Sequence, residues 1–378
     1  MNKAQSSKKI LLLGDYSNCH ANLGEGLRNL GHNVTIMAPV NYLSSKKVDI
    51  NIKRKEGKLG GLLFYLKLLT TWHKYLKGYD IVAINDPVFL SLRPERLAPL
   101  FKRLKAENGS LFYTAMSHDI NYLRMCSDSN SPLKFSEYFI EGKPSPWNLE
   151  NPQRWKNWFK PELMEYQDYV FENLDGAISV LYEYHKGLEY LYDKSKIAYG
   201  GIPINTKEIQ FVGSPLKSKV RLMLGKDRRR VKMKGSDILE KAARNIIEKY
   251  PDDVELFVAE NLPYEIFIEE IKKSDVILDQ VYSYTPATTA LLSMAMGKTV
   301  VSGGEPEYYD FIGEKDNHPI INASYNLEKM TRELENVVLD RDFIKNNSIK
   351  SRDFVIKHND SELVAKRFLE QWNKNLIQ

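Results

Sequence analysis

Short apolar runs alternate with stretches whose apolar residues recur at helical spacing, and the alternation persists along most of the chain. Ile10–Leu13 is a continuous apolar run, as expected of a parallel strand buried on both faces. Gly14 ends it. Leu23, Leu27 and Leu30 form one stripe, Gly31 closes the helix they predict, and Val34–Met37 is the next strand. The natural unit is a parallel strand–helix–strand. The rhythm repeats through a helix at Leu62–Leu76 and a strand at Asp80–Ile84, which runs into Asn85, Asp86 and Pro87. A helix at Leu97–Leu104, with Pro99 in its first turn, precedes a strand at Leu111–Met116 that ends at Ser117, His118 and Asp119.

Residues 120–160 break the rhythm with Trp147, Trp155, Trp158 and several prolines. Connections of this length are usually functional or mobile. Tryptophan faces suit a sugar or a lipid interface, and equally the pinning of a long loop to the core. Alternation resumes with a helix at Pro161–Asn173, a strand at Gly176–Leu181, a helix at Glu183–Leu191 and a strand at Ile197–Tyr199. Pro203, Gly213 and Pro215 place a boundary within 202–216.

A second series follows. Its strands are Val220–Leu224, Val254–Val258, Val276–Leu278 and Thr299–Val301. Ser236 is the expected N-cap of a helix that carries Ile238, Leu239, Ala242, Ala243, Ile246 and Ile247 on one face. Further helices are predicted at Tyr264–Ile271, Pro286–Met296, and near 326–338 and 361–374. The predicted fold class is α/β, with two doubly wound, Rossmann-like domains and a cleft between them. These are 1–205, with 120–160 as an insertion, and 206–360. A C-terminal helix in 361–378 has the N-terminal domain as its candidate docking partner.

Composition narrows the function. With 54 Lys and Arg against 49 Asp and Glu, the formal charge of +5 is too small for a dedicated nucleic-acid binder, and Arg228–Arg230 is a short, isolated run. The charge suits an anionic small molecule, an anionic membrane surface, or neither. A hydrophobic content of 43% excludes a disordered chain. Cys19 and Cys126 provide neither a zinc site nor a disulfide framework, so a reducing cytoplasm is the expected compartment. The first apolar run is too short for a signal-peptide core, and no run of eighteen apolar residues spans a membrane. Lys-rich helices near 46–78 offer peripheral contact with the inner membrane face, and solvated surface is the plainer account of most of these lysines.

Two loops carry candidate chemistry. Gly225–Gly235 is a basic loop between a strand and a helix, the place where open α/β sheets bind phosphates. Arg229 offers bidentate contacts and Lys234 a point charge; a solvated charge run is the alternative. Asp279–Thr289 also joins a strand to a helix, with Thr285 as expected N-cap and Pro286 at the first helical position. Ser283, Thr285, Thr288 and Thr289 offer hydroxyl and backbone N–H groups to a phosphate or ribose. After the first strand, Gly14, Asp15, Asn18, His20 and Asn22 are candidates to line a cleft, while His32 is expected to be structural. The glycine pattern there is not G-x-G-x-x-G, so no dinucleotide cofactor is indicated. No P-loop, G-x-S-x-G elbow or metal-ligand spacing occurs.

Leu291–Val301 resembles the "EAMA-x-G-x-PVV" signature of GT-B glycosyltransferases, particularly family four. Val220–Leu239 resembles the family's "G-R…K-G" phosphate loop, with Arg229 and Lys234 at the spacing of its basic pair. Leu27–Val34 resembles "L-x-x-x-GH-x-V", and Ala198–Asn205 resembles the "PNGID" that closes the N-terminal domain. The matches run in order across nearly the whole chain.

The resemblance implies transfer of a hexosyl group from a nucleotide-diphosphate sugar to a glycan or lipid-linked acceptor. It implies retention of configuration and no metal or other cofactor. Arg229 and Lys234 would neutralise the diphosphate, and His118 would face the donor sugar near the reacting carbon. A loop histidine bonded to a backbone carbonyl is the plainer account of His118. Gly14, Asp279, Ser283, Thr285, Thr288 and Thr289 would lie on the donor side, and Asp15, Asn18, His20 and Asp119 on the acceptor side. One departure stands out. The family's Glu-x7-Glu pair is replaced by Tyr284 and Leu292, neither a carboxylate. Glu305, Glu307 and Asp279 are the candidate substitutes, although Glu307 also fits an ordinary first-turn acid. A degenerate GT-B protein that binds nucleotide or glycan without turnover, and a nucleotide-sugar epimerase, remain alternatives.

Overall fold

The computed structural model describes residues 7–39 and 48–375. The first two residues of the predicted Lys-rich stretch, 46–47, and the last three of the predicted C-terminal segment, 376–378, lie outside the described residues. In chain order the strands are β1 (Lys9–Leu13), β2 (Asn33–Ala38), β3 (Ile50–Asn51), β4 (Ile81–Ile84), β5 (Ser110–Ala115), β6 (Phe139–Ile140) and β7 (Lys143–Pro144). They continue with β8 (Gly176–Ser179), β9 (Ile197–Tyr199), β10 (Val220–Lys226), β11 (Val254–Glu260), β12 (Val276–Leu278), β13 (Thr299–Ser302) and β14 (Ile320–Asn322).

The predicted doubly wound α/β architecture is present. One parallel sheet runs β3-β2-β1-β4-β5-β8-β9 and another β11-β10-β12-β13-β14; β6 and β7 form a small antiparallel hairpin. Ile10–Leu13 and Ile81–Ile84 have no exposed surface, as required of strands covered on both faces. Leu11 pairs with Thr35 on one side and Val82 on the other. The chain therefore leaves β1 in one direction and returns to build β4 and β5 in the other. The same reversal occurs at β10, which lies between β11 and β12. Such switch points open a crevice at the carboxyl ends of the strands, where loops from neighbouring strands diverge.

The chain divides into two compact units. The first holds the described residues of Met1–Met125, Gln153–Pro203 and Ser361–Gln378; the second holds Cys126–Pro152 and Ile204–Asp360. The middle of the predicted N-terminal insertion thus belongs with the second unit. Within the first unit, the helix Ser361–Asn375 packs beside the helix Cys19–Asn29, close enough that a Cβ at Gly26 would meet the Ser361 carbonyl at 2.2 Å. Trp372 is fully buried, 6.0 Å from the ring of Phe112 in β5. Arg367 donates to the Gly200 carbonyl at 3.0 Å.

Several element boundaries differ from expectation. The helix predicted at Leu62–Leu76 is Gly57–Leu69, and a single tight turn follows at His73–Tyr75. The helix holding Pro99 begins at Pro94, so Pro94 takes the first turn and Pro99 lies inside. Gly235, not Ser236, is the N-cap of Ser236–Lys249; its φ of 69° suits glycine, whereas Ser236 is the first helical residue and buried. Pro286 and Thr285 stay in the preceding loop, because the helix starts only at Thr288 after Ala287. The helix Arg341–Asn359 was not predicted. Its buried face includes Asn347, Ser348, Ser351 and His358, which interrupt the apolar stripe.

Candidate active site

In the second unit, the cations of the basic loop are paired with nearby carboxylates, only one of which, Asp227, lies in the loop itself. Asp227 accepts the Arg229 backbone N–H at 3.0 Å and holds its guanidinium at 3.2 Å, which keeps the Asp227 carboxyl below its usual range. Arg228 pairs with Glu260, Lys232 with Asp237 at 2.7 Å, and Lys226 with Glu240 at 2.8 Å. The Arg229 side chain is 78% exposed.

Lys234 is placed differently. It ends the single turn Val231–Lys234, and its backbone carbonyl accepts the Val281 N–H at 2.7 Å. Its Nζ lies 3.4 Å from Oδ1 of Asp279. Asp279, buried at the end of β12, accepts the Ser302 hydroxyl at 3.0 Å through its other oxygen. Lys234, Asp279 and Ser302 thus meet from the carboxyl ends of three adjacent strands, β10, β12 and β13. The structure pairs Lys234 with Asp279 and Arg229 with Asp227.

The next loop folds on its own hydroxyls. Ser283 Oγ donates to the Thr285 carbonyl at 2.6 Å and accepts the Thr285 N–H at 3.3 Å, with both residues buried. The helix Thr288–Ala295 then starts with no side-chain cap and no acid in its first turn. Thr288 and Thr289 are half-buried there. Such a turn presents backbone N–H groups and partial positive charge to an anion.

The two non-acidic positions separate. Leu292 is half-buried on that helix. Tyr284 is buried, its hydroxyl accepts the Lys134 backbone N–H at 2.7 Å, and its ring stacks on Phe135 at 4.7 Å and 20°. Phe135 meets Tyr325 edge-on at 5.6 Å, and the Tyr325 hydroxyl donates to Glu141 at 3.1 Å. Glu307 lies in the first turn of the helix Pro306–Ile312, paired with Lys134 Nζ at 2.9 Å, which pulls its carboxyl below the usual range. Glu305 is that helix's N-cap, and its N–H donates to the Tyr284 carbonyl at 3.3 Å. Tyr284, Glu307 and Tyr325 therefore seat the segment 126–152, a role that no spacing in the sequence announced. Trp147 is buried in the same segment, in keeping with a pinning role. Trp155 and Trp158, in the first unit, are half-buried, and Trp155 packs on Phe159 at 4.8 Å.

In the first unit, Gly14 turns the chain out of β1 with φ 80°; a Cβ there would lie 1.9 Å from Asn85 Oδ1. Asp15 accepts the His20 N–H at 2.9 Å, and burial pushes its carboxyl up to about 6. Asn18, at φ 60°, is the N-cap of Cys19–Asn29. His20 has no exposed surface. Its Nδ1 lies 2.6 Å from the Gly14 carbonyl, so it donates there, and its Nε2 accepts from the Thr114 hydroxyl at 3.0 Å. Burial pushes its pKa to about 4, so His20 is a neutral strut rather than a cleft-lining base. His32 accepts the Lys8 N–H at 3.1 Å, a structural role.

His118 is half-buried, stacked on Tyr122 at 5.5 Å and 13° and edge-on to Tyr184 at 6.2 Å. Two buried carboxylates belong to the same polar cluster. Asp119 accepts from the Tyr113 hydroxyl and the Tyr122 N–H, both at 2.9 Å; burial raises its pKa. Asp86 accepts the Ser117 hydroxyl at 2.8 Å and the Val88 N–H at 2.7 Å, and burial pushes it up to about 6. Asp86 was not among the sequence candidates, although its place directly after a buried strand was the available signal. Asp86, His118 and Asp119 cluster at the carboxyl ends of β4 and β5. Among the described residues, no group of three His, Cys, Asp or Glu side chains forms a metal site.

No protein-family model and no curated protein matches the chain. Solved structures do. Sucrose-phosphate synthase from Thermosynechococcus elongatus matches at TM-score 0.61 and 14% identity, over 97% of this chain and 99% of that one. HepE from Anabaena, in complex with UDP-glucose, matches at TM-score 0.57 and 12% identity, over 97% and 100%. The lipopolysaccharide outer core galactosyltransferase WaaB matches at TM-score 0.52 and 13% identity, over 98% and 99%. The chain has the GT-B fold along its length.

Proposed function

We propose that the protein is a glycosyltransferase that moves a hexosyl group from a nucleotide-diphosphate sugar to a glycan or lipid-linked acceptor, with retention of configuration, in the cytoplasm. The observation that carries this is the carboxyl edge of the second sheet. There Lys234 is held beside Asp279, and the helix at Thr288 begins with uncapped N–H groups. A diphosphate bound there meets one positioned ammonium and a helix N-terminus, which together stabilise the charge that develops as the leaving group departs. Arg229 lends longer-range positive potential from the surface. No metal is needed for that charge. Thr288 and Thr289 supply hydroxyls on the donor side.

In the first unit, His118 stabilises charge at the reacting sugar and is held by the Tyr122 ring. Gly14 lets the backbone approach the donor. Asp15 and Asn18 shape the acceptor side, His20 supports Asp15 from within, and Asp119 holds Tyr113 and Tyr122. The neighbour solved with UDP-glucose makes a uridine donor the first to try.

A single observation favours a second account, a GT-B protein that binds without turnover: the position of the family's first glutamate holds Tyr284, engaged by Lys134. One experiment separates the two. The purified chain is incubated with a panel of nucleotide sugars, a glycan and glycolipid extract, and EDTA. Release of nucleotide with a glycosylated product in EDTA supports the metal-independent transferase. Conversion of donor without acceptor marks an epimerase or hydrolase. Nucleotide binding without product marks the non-catalytic protein.

A further inference from the structure

The helix Gly57–Leu69 has two apolar faces. Gly60, Gly61, Phe64 and Leu68 are buried, with Phe64 and Leu68 in the core beside the first sheet. On the other face Leu59, Leu62, Leu63 and Leu66 are 70%, 40%, 50% and 46% exposed. Their spacing places them on one continuous stripe. A surface helix normally turns polar residues outward, and a contiguous apolar stripe facing water marks an interaction surface.

The surroundings identify the partner. Lys53, Lys55, Lys58, Lys67, Lys74 and Lys77 are all exposed, and Glu56 is the only acid between residues 52 and 79. Lys67 Nζ lies over the Trp72 ring at 5.5 Å, and Trp72 packs edge-on to Phe64 at 5.7 Å. Leucines flanked by lysines, with a tryptophan at the helix end, match the layered chemistry of a bilayer surface. A second copy of the chain fits poorly, because a two-fold contact would set these lysines against themselves.

We propose that this face docks the protein on an anionic lipid bilayer, with the four leucines entering the acyl boundary and the lysines meeting the headgroups. The inference is independent of the transfer reaction. The test is cosedimentation of the full chain with phosphatidylcholine vesicles and with mixed phosphatidylcholine–phosphatidylglycerol vesicles. Binding is expected only to the mixed vesicles and to fall with added salt. Leu62→Glu/Leu63→Glu is expected to weaken it at least about tenfold, with an unchanged melting temperature because both positions are exposed. Lys58→Gln/Lys67→Gln keeps the leucines and is expected to weaken binding about tenfold. Failure of the wild type to bind mixed vesicles overturns the proposal, as does wild-type binding by both variants. A wild-type dimer in sedimentation velocity that Leu62→Glu/Leu63→Glu converts to a monomer overturns it in favour of self-association.

Discussion

The backbone N–H of Lys134 donates to the buried hydroxyl of Tyr284 at 2.7 Å. Tyr284 occupies the position where the resembling family carries a glutamate, and here it fastens the segment 126–152. Tyr284→Phe keeps the stack on Phe135 but leaves the Lys134 and Phe135 N–H groups without that acceptor. The expected cost is about 1–3 kcal/mol, with faster amide exchange concentrated around 134–136. Calorimetry and hydrogen-exchange mass spectrometry check both.

Lys234 and Arg229 are expected to differ. Lys234→Ala removes the positioned ammonium and leaves Asp279 buried without it. Donor affinity is expected to fall by about 10–100-fold. Arg229 is exposed and paired with Asp227, so Arg229→Ala is expected to change affinity by no more than about threefold. Titration calorimetry with nucleotide sugar measures both.

His118→Ala is expected to lower kcat by about 100-fold while the donor Kd stays near wild type, because in the proposed reaction the ring acts on charge that develops only in the transition state. Single-turnover kinetics beside equilibrium donor titration separate the two quantities.

Acid titration probes the buried groups of the first unit. His20 has a folded pKa of about 4 against 6.5 when unfolded. The unfolded chain takes up a proton that the folded chain refuses, so this contribution is lost as pH falls from about 6.5 to about 4, by about 3 kcal/mol. Asp86 acts in the opposite sense. Its folded value of about 6 exceeds 3.8, so its contribution is present at low pH and lost as pH rises through about 6. Asp86→Asn is therefore expected to gain stability relative to wild type between pH of about 4 and about 6. Denaturant melts of wild type, Asp86→Asn and His20→Gln across that range check both signs.

Most strands of both sheets were legible because parallel strands buried on two faces must be continuous apolar runs, as Ile10–Leu13 and Val276–Leu278 are; the short, partly exposed edge strands Ile50–Asn51 and Ile320–Asn322 carry no such run and were not predicted. The two candidate loops of the second unit, 225–235 and 279–289, stood out from their place after such strands. Helix starts were less so, because Pro286 signals a first turn in general while here the chain enters the helix two residues later. The helix Arg341–Asn359 hid behind buried Asn347 and Ser351. The pairing of Lys134 with Tyr284 spans 150 residues and follows no local period, so only the fold reveals it. His20 carried the right residue type for a cleft, yet both ring nitrogens are engaged inside the protein.

The most direct test is a thermal-shift titration of wild type and Lys234→Ala with UDP, GDP, ADP, CMP and their sugar conjugates. Binding to the folded state alone raises the melting temperature by mass action. A rise with one nucleotide family, largely lost in Lys234→Ala, is the predicted result. No rise with any of them, or an equal rise in the variant, would contradict a nucleotide-sugar site at the carboxyl edge of the second sheet.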